Sequence, residues 1–439
     1  MIGIVVSRAD SASEHIGEHL LDLADWDTTV DDTRADADGG GTVHRTNGFE
    51  LRTFDELHLH LDGVAAAFDD PDLVLFASRH SGDTGALLTA HFTGNFGPAE
   101  YGGEDDALAA ACPNAQAALL SAFDRHAPDG YEVGMECTHH GPSDVGVPSM
   151  FVELGSGEAE WADPAGARAV ARAILDIAGV DPTCERTVVG FGSGHYVPRF
   201  ERVVRETDWT VGHVAGDWSL DAMGHPEEHR EVVDRAFTAS DTSLALVEGD
   251  RPALVDTIED LGYRVVSETW LREVDDRDLD RVAELEETIT SVDDGLRFGT
   301  QFAADDWSVR ELPGDLVAAA QAIDRETTYD LVASHAVALG TENAGSRVGN
   351  RAAFPPGEFD TLVDDLCELL AEKYETVRRE DGAVVAQERA FDPALAHEAG
   401  VPEGPKFGKL AGGQPVEVEG RTVEPGAVRT ERTDRFELG

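Results

Sequence analysis

The chain has 439 residues, with 87 acidic and 34 basic side chains and a formal net charge of -53 at neutral pH. A chain of this length can hold two or more domains, each with its own core. Hydrophobic residues make up 41% of it, which argues against intrinsic disorder despite the charge. We interpret the acidity as adaptation to a salt-rich cytoplasm, where molar salt screens repulsion between like charges.

The charge does not exclude RNA as a partner, because it reports the solvent rather than one surface, and a local arginine-rich patch would be enough for binding. The four cysteines are widely spaced and form no CxxC pair, so we predict free thiols and no cysteine zinc site. No apolar run reaches membrane-spanning length, and the N-terminus lacks a basic signal region. The sequence therefore predicts a cytoplasmic protein with no membrane partner.

Apolar runs and helical spacing alternate along the first 270 residues. Buried strands are predicted at 2–6, 73–77, 131–137, 150–154, 187–191 and 244–247, with helices at 105–123, 164–179, 227–238 and 251–261. The Asp- and Gly-rich stretch 28–46 is typical of a loop. This alternation predicts a layered α/β domain over residues 1–270.

The pattern changes in residues 271–439, which we interpret as an acidic C-terminal extension. Helices are predicted at 275–289, 314–323 and 358–374, and a loop at 347–357. The tail, residues 398–430, is rich in Gly and Pro with short β-like runs. We therefore expect a mostly helical extension that ends in a small β-rich tail.

The stretch from Glu136 to Pro142 is the most informative motif. His139 and His140 follow an apparent strand, and imidazole is the commonest protein ligand for zinc. Neighbouring residues of a regular strand point to opposite faces, so both rings reach one site only if the strand has ended. We predict Glu136, His139 and His140 as metal ligands, with Glu136 and His140 also catalytic. A surface turn that happens to contain two histidines is the alternative.

A second cluster, Gly192 to Tyr196, follows another predicted strand. We predict His195 as a metal ligand and acid/base group, and expect the two clusters to form one site. Loops after other strands supply further candidates for substrate contacts, and a tight surface turn is the alternative for each. The predicted substrate-binding residues are Ser78, Arg79, His80, His91, Asn95, Gly192, Ser193 and Tyr196.

The segment His58-Leu59-His60-Leu61-Asp62 is similar to the start of the HxHxDH motif of metallo-β-lactamases. Gly63 stands where the motif needs its last histidine. Alternating polar and apolar residues are also typical of a half-buried strand, and we favour that interpretation.

Several motifs occur together and in order: Ser78-Arg79-His80, Leu88 to His91, Gly94-Asn95-Phe96, Glu136 to Pro142, Phe151 to Ser156 with Trp161, and Gly194-His195-Tyr196 with Gly212-His213. This combination, over residues 1–270, resembles the archaeal and plant type of D-aminoacyl-tRNA deacylase. The resemblance implies a three-layer α/β/α fold with a mixed sheet, phosphorylase/hydrolase-like. It also implies two zinc ions per subunit.

The activity that this resemblance implies is hydrolysis of the ester between a D-amino acid and the 3′ end of tRNA, for proofreading or detoxification. In this hypothesis zinc held by His139, His140 or His195, with Glu136, lowers the pKa of a bound water. Backbone N–H groups around Gly192 to Gly194 stabilise the oxyanion, and His213 or a carboxylate relays the proton to the ribose oxygen. We expect a monomer that binds D-aminoacyl-tRNA and no DNA.

The residues leave three alternatives open. Residues 400–410 resemble a segment of tRNA 3′-processing endonucleases of the metallo-β-lactamase class, and they carry Lys406 and Lys409, two of the three lysines. A metal-dependent tRNA endonuclease is therefore one alternative, and the two lysines predict an RNA contact. The others are a metal-independent hydrolase with His195 as base, and a non-catalytic tRNA-binding module.

Overall fold

A computed structural model describes residues 1–438. It forms two compact units, Met1–Asp275 and Asp276–Gly439. No helix in the described part of the chain has the length and apolar character that crossing a membrane requires.

The first unit alternates strands and helices, as predicted. Its strands are β1 (Ile2–Ser7), β2 (Asp27–Asp31), β3 (Gly41–Thr46), β4 (Phe49–Phe54), β5 (Leu73–Arg79), β6 (Leu87–His91), β7 (Gly94–Asn95), β8 (Ala107–Leu108), β9 (Glu132–Met135), β10 (Ser149–Gly155), β11 (Thr187–Phe191), β12 (Thr210–Ala215), β13 (Leu244–Val247) and β14 (Arg264–Val266). Its helices are α1 (Ser11–Leu23), α2 (Pro113–His126), α3 (Glu158–Trp161), α4 (Pro164–Asp176), α5 (Pro198–Glu206), α6 (Asp217–Met223), α7 (Arg230–Ser240), α8 (Pro252–Asp260) and α9 (Glu268–Glu273).

The main sheet has eight strands in the order β2-β3-β4-β1-β5-β10-β6-β9. β1, β5 and β10 run parallel, whereas β6 runs antiparallel to β10, so the sheet is mixed. A four-stranded parallel sheet has the order β12-β11-β13-β14. The predicted α/β class with a mixed sheet is confirmed.

Helix ends follow the sequence signals closely. The Asp163 side chain accepts a hydrogen bond from the Ala165 N–H, and Pro164 occupies the first turn of α4. Asp10 caps α1 in the same way, accepting from the N–H groups of Ala12 and Ser13. These caps fix where two helices that pack on the main sheet begin.

Two predictions about the first unit are wrong. Residues 28–46 are not a loop throughout, because β2 and β3 at the two ends of the stretch pair as an antiparallel edge hairpin and only residues 32–40 connect them. Its strands are largely exposed, so their polar composition concealed them. The helix predicted at 105–123 begins only at Pro113, because residues 107–108 pair with β7.

The second unit contains more strand than the sequence predicted. Its helices are α10 (Leu279–Thr288), α11 (Gly314–Ile323), α12 (Arg325–His335), α13 (Glu358–Leu370), α14 (Pro393–Glu398) and α15 (Pro405–Ala411). Its strands are β15 (Leu296–Phe298), β16 (Ser308–Glu311), β17 (Ala338–Glu342), β18 (Arg347–Phe354), β19 (Thr376–Glu380), β20 (Ala383–Phe391), β21 (Val416–Val418), β22 (Arg421–Val423) and β23 (Arg429–Glu437).

These strands form sheets in the orders β15-β17-β18-β16 and β19-β20-β23, with a hairpin of β21 and β22. The loop predicted at 347–357 is wrong, because β18 is a central strand whose polar residues face outward. The hairpin predicted in the tail is confirmed. Lys406 Nζ donates to the Glu417 carbonyl at 2.6 Å, so one lysine of the predicted RNA contact already has a partner.

Candidate metal and active site

The site is built across β10, where a carboxylate interrupts an otherwise apolar and fully buried strand. Glu153 of β10 pairs in register with Ser78 of β5 on one side and Thr89 of β6 on the other. Ser78 Oγ donates to Glu153 Oε1 at 3.0 Å, and His91 Nε2 lies 3.6 Å from the same oxygen. The central strand therefore presents a buried carboxylate to groups on both of its neighbours.

The segment Glu136 to His140 leaves the sheet after β9. β9 ends at Met135, two residues before the predicted strand end, so Glu136 and Thr138 do not share a strand face as expected. Cys137 N–H donates to the His195 carbonyl at 2.8 Å, and Thr138 N–H donates to the Val214 carbonyl at 2.8 Å. His140 adopts a positive φ of 45°, which turns its ring away from the strand direction.

Three histidine rings from this region pack against one another. The ring centroids of His91 and His139 are 4.0 Å apart, and those of His139 and His140 are 4.5 Å apart. Each ring has its Nδ1 close to a backbone carbonyl: Phe92 at 3.0 Å for His91, Cys137 at 2.8 Å for His139 and Gly141 at 2.8 Å for His140. A carbonyl can only accept, so each Nδ1 carries a proton, and in a neutral ring Nε2 then keeps its lone pair.

Glu136 lies among two further histidines without forming a hydrogen bond. Its Oε2 is 2.7 Å from His195 Nε2, and its Oε1 is 3.1 Å from His80 Nδ1. Both oxygens are fully buried, and neither has hydrogen-bond geometry with a partner among the described residues. A buried carboxylate without well-aligned hydrogen bonds is costly, so Glu136 is a candidate ligand for a metal ion.

The environment separates the histidines into two protonation classes. Burial, together with the charge of His91, lowers the pKa of His140 to about 3, and burial holds the pKa of His139 well below its usual value. Burial opposes charge on His80 as well, but Glu136 and Glu153 raise its pKa to about 10. His139 and His140 are therefore neutral rings, the form that binds metals.

The two carboxylates are ionised. Burial alone would raise the pKa of Glu136, but His195 and His80 hold it well below its usual value. His80 and His91 likewise outweigh burial and lower the pKa of Glu153. The site thus combines neutral imidazoles with buried carboxylates, the donor set that suits zinc.

These side chains form three groups whose potential ligand atoms lie within 4.8 Å of one another. His139 belongs to two of the groups. The groups are His91, His139 and His140; Cys137, His139 and His195; and His80, Glu136 and Glu153.

Two cavities share His139 and His140 in their lining. The polar cavity, of about 500 Å³, is lined by Asp10, Arg79, His80, Glu153 and His195. The aromatic cavity, of about 430 Å³, is lined by Phe96, Pro98, Trp218 and Ala222. His139, His140 and Tyr101 line both cavities, so a substrate bound across this wall would reach the two neutral histidines.

The structure brings Glu136, His139, His140 and His195 together, whereas their individual roles stay predictions. The structure also brings predicted substrate residues to the site. The Arg79 guanidinium lies 5.2 Å from the Trp161 ring centroid, and Tyr196 Oη lies 3.1 Å from His80 Nε2.

Other predicted residues are engaged elsewhere. Asn95 Nδ2 donates to the carbonyls of Gly102 and Glu104, so it holds a loop beside the aromatic cavity. Gly192 N–H donates to the Ala215 carbonyl and is not free for an oxyanion, contrary to expectation. Ser193 is buried, and its carbonyl accepts from Asp217 N–H.

His213 lies in the core and lines neither cavity. Its Nδ1 is 3.0 Å from Thr138 Oγ1, and its Nε2 is 2.8 Å from the Ala109 carbonyl. Because both nitrogens have protein partners, the structure gives no support to the expected proton relay to the substrate.

Sequence reasoning missed three members of the site. Glu153 had a visible signal, since a glutamate in the run Met150 to Leu154 is out of place on a buried strand. Cys137 was set aside because no CxxC pair exists, yet its Sγ lies 3.7 Å from His195 Nδ1. His58 was assigned to a strand, but it lies in a 3-10 turn and lines the polar cavity.

The fold and the site together define a mixed-sheet α/β protein with a histidine- and carboxylate-rich centre of the kind that binds a catalytic metal. A family model described as D-aminoacyl-tRNA deacylase matches residues 67–266. The chain is 55% identical to the D-aminoacyl-tRNA deacylase of Natronomonas pharaonis, over 100% of both chains. It is 53% identical to that of Halorubrum lacusprofundi, over 100% of this chain and 97% of the relative.

The chain therefore belongs to the D-aminoacyl-tRNA deacylase family. A crystal structure of a conserved protein of unknown function matches with a TM-score of 0.54 and 28% identity, covering 61% of this chain and 95% of that one. The alignments with these two relatives cover the second unit as well, so both relatives have the extension that the sequence predicted.

Proposed function

We propose that this protein hydrolyses the ester bond of D-aminoacyl-tRNA, releasing free tRNA and a D-amino acid. The observation that carries the proposal is the pair of neutral histidines, His139 and His140, on the wall between two cavities of different chemistry. An ester placed at that wall would have its acyl and ribose sides in separate cavities. Family membership supports the choice of this ester. Such a reaction belongs in the cytoplasm, where charged tRNA is used.

The proposed cofactor is zinc, with two ions per subunit. His91, His139 and His140 would hold one ion through their Nε2 atoms, and His80, Glu136 and Glu153 offer donors for a second. When bound, zinc supplies Lewis acidity at the ester carbonyl and lowers the pKa of water. The carbonyl partners at each Nδ1 would orient the rings and make Nε2 more basic.

His195 is the group we assign to proton transfer. Its side chain is 34% exposed, more than those of His80, His91 and His139, and it lines the polar cavity. Burial opposes its charge, but Cys137 and Glu136 raise its pKa to about 10, so the ring carries a proton at neutral pH. His195 would donate that proton to the departing ribose oxygen, while ionised Glu136 holds the ring in place.

Arg79 is a candidate for binding the acyl side of the substrate. It lies beside Asp10, which accepts a hydrogen bond from the Arg79 backbone N–H at 2.9 Å. Its guanidinium packs on Trp161 at the polar cavity, where it can donate hydrogen bonds to the acyl carbonyl oxygen. That the protein is a monomer and does not bind DNA stays a prediction.

The decisive experiment compares D-tyrosyl-tRNA and L-tyrosyl-tRNA as substrates of the purified chain at molar salt. We expect hydrolysis of the D-ester only, loss of activity after treatment with a chelator, and recovery on addition of zinc. Undiminished activity in the chelator would contradict the metal proposal and favour a metal-independent hydrolase. An inert D-ester with cleavage of precursor tRNA would favour the endonuclease instead, and retention of charged tRNA without turnover would favour a binding module.

A further inference from the structure

The aromatic cavity is not accounted for by the chemistry of ester cleavage. It shares His139 and His140 with the polar cavity, and it has a volume of about 430 Å³. Phe96, Pro98 and Ala222 give it a largely apolar lining. The occupant assigned to this cavity rests on the proposed function.

Two exposed aromatic rings lie on this cavity. Among large hydrophobic side chains of residues 1–438, only Val30, Tyr101 and Trp218 are highly exposed. Tyr101 and Trp218 both line the aromatic cavity, and Tyr101 also lines the polar one. Tyr101 is 67% exposed and Trp218 is 50% exposed. Exposed apolar surface concentrated at one place marks a binding surface rather than an accident of packing.

The backbone ties both rings to the site. The Tyr101 carbonyl accepts from the N–H of Gly141, the residue after His140, at 3.0 Å. Trp218 is the second residue of α6, and Asp217 before it donates its N–H to the Ser193 carbonyl at 2.8 Å. The rings are therefore positioned by the same segments that carry His140 and His195.

We propose that the aromatic cavity binds the terminal adenine base of the tRNA substrate, stacked on Trp218 and Tyr101. The two sides of the scissile ester differ in chemistry. The aminoacyl side carries an ammonium group, which can pair with the Asp10 carboxylate in the polar cavity. The ribose side carries a flat base, which suits exposed aromatic rings.

This assignment places the anchor on a part of the substrate that every tRNA shares. The polar cavity is then free to admit different amino-acid side chains, since affinity does not depend on them. Trp218 and Tyr101 act here as binding residues for the base, and the hydrolytic groups remain those on the shared wall.

The test uses the full chain with the substitutions Trp218→Ala and Trp218→Phe. We expect Trp218→Ala to raise the KM for D-tyrosyl-tRNA about tenfold with little change in kcat, because a stacking contact is lost. Trp218→Phe should recover most of the affinity. Trp26→Ala is the matched control, since Trp26 is part-exposed, donates to the Leu20 carbonyl and does not line the cavity, so it should leave both constants unchanged.

Titration with adenosine 5′-monophosphate gives a readout without turnover. Stacking should quench the tryptophan fluorescence of the wild type and of Trp26→Ala, but not the remaining fluorescence of Trp218→Ala. Equal quenching in all three proteins would overturn the assignment.

Substrates with different side chains separate the base from the amino acid as occupant. If the base occupies the cavity, Trp218→Ala should raise KM relative to wild type by the same factor for D-alanyl-tRNA and for D-phenylalanyl-tRNA. A much larger factor for D-phenylalanyl-tRNA would place the side chain there and overturn the proposal, as would an unchanged KM for both. If wild type hydrolyses neither ester yet its Trp218 fluorescence is quenched, the proposed function fails while the base site stands.

Discussion

Each unit of the molecule contains histidines beside carboxylates, yet only one arrangement is suited to a metal. In the second unit, His335 Nδ1 lies 2.6 Å from Glu358 Oε2 and its Nε2 lies 2.8 Å from Asp365 Oδ2, both as hydrogen bonds. In the first unit, the Glu136 oxygens approach His80 and His195 without hydrogen-bond geometry. The same residue types are satisfied in one place and unsatisfied in the other.

Burial explains why this difference matters. The side chains of Glu358 and Asp365 are each about a third exposed, at 34% and 35%, so water can solvate them whether or not His335 is charged. Glu136 is fully buried and has no such outlet. Unsatisfied buried lone pairs, rather than a count of histidines, therefore identify the metal-competent group.

The largest expected effect comes from His139→Ala. His139 belongs to the group of the first proposed zinc position and also to the group of Cys137 and His195, so its loss should disturb both that zinc position and the residue assigned to proton transfer. We expect zinc content to fall and turnover of D-tyrosyl-tRNA to drop by more than about a hundredfold. Mutating a residue that only hydrogen-bonds to a metal ligand already lowers metal affinity or activity by about 10- to 100-fold. Elemental analysis of the purified protein and single-turnover kinetics measure the two effects.

His335→Ala is the matched control for this prediction. It removes the histidine that is hydrogen-bonded to Glu358 and Asp365 in the second unit, and it should leave zinc content and turnover unchanged. If both variants kept their zinc, or if both lost it, the distinction between the two groups would be wrong.

A smaller effect is expected from Ser78→Ala. Ser78 Oγ donates to Glu153 Oε1 at 3.0 Å, so it orients a carboxylate of the site without offering a ligand to the groups described above. We expect about a tenfold loss of zinc affinity, as for other groups that orient ligands. Competition with a chromophoric chelator measures it.

Ser121→Ala makes the same substitution on an exposed helix surface, where Ser121 Oγ donates to the Ala117 carbonyl. This variant should bind zinc like the wild type. Equal affinity in Ser78→Ala and wild type would show that Glu153 needs no orienting partner.

Sequence reasoning placed the buried strands well because their apolar runs are unambiguous. The predictions for β11 and β13 match the structure residue for residue, and Asp163-Pro164 marks the start of α4. It failed at β2 and β18, where exposed polar residues hide a strand that only its partners reveal. Periodicity carries information about buried faces and little about edge or solvent-facing strands.

The site shows a similar division. Adjacent histidines after a strand located it, but the sequence contains no information on strand direction. Because β6 runs antiparallel to β10, His91 lies opposite Phe151 rather than at the same edge as His80. Glu153 and Cys137 enter the site through this pairing and through contacts between segments far apart in the chain, which spacing along the sequence cannot show.

The smallest expected effect concerns His335 and its two hydrogen-bonded carboxylates, Glu358 and Asp365. Burial opposes charge on His335, but Glu358 and Asp365 together outweigh it and raise its pKa above the usual value. A raised pKa in the folded state stabilises the protein fully below the pKa of the unfolded state, about 6.5, and this contribution is lost as pH rises through the folded value. Solvent screening limits it to about 1 kcal/mol or less.

His335→Gln should therefore reduce the free energy of unfolding at about pH 6, and its deficit relative to wild type should shrink as the pH rises to about 9. Urea unfolding of both proteins across this range, at the lowest salt in which they fold, measures the deficit. His397→Gln serves as control, because His397 and its partner Glu403 are 53% and 78% exposed and should contribute little at any pH. If the free energies of unfolding of wild type and His335→Gln changed with pH in parallel, the His335 ring would be neutral between its two carboxylates. Hydrogen bonding alone would then distinguish this group from the metal-competent group of the first unit.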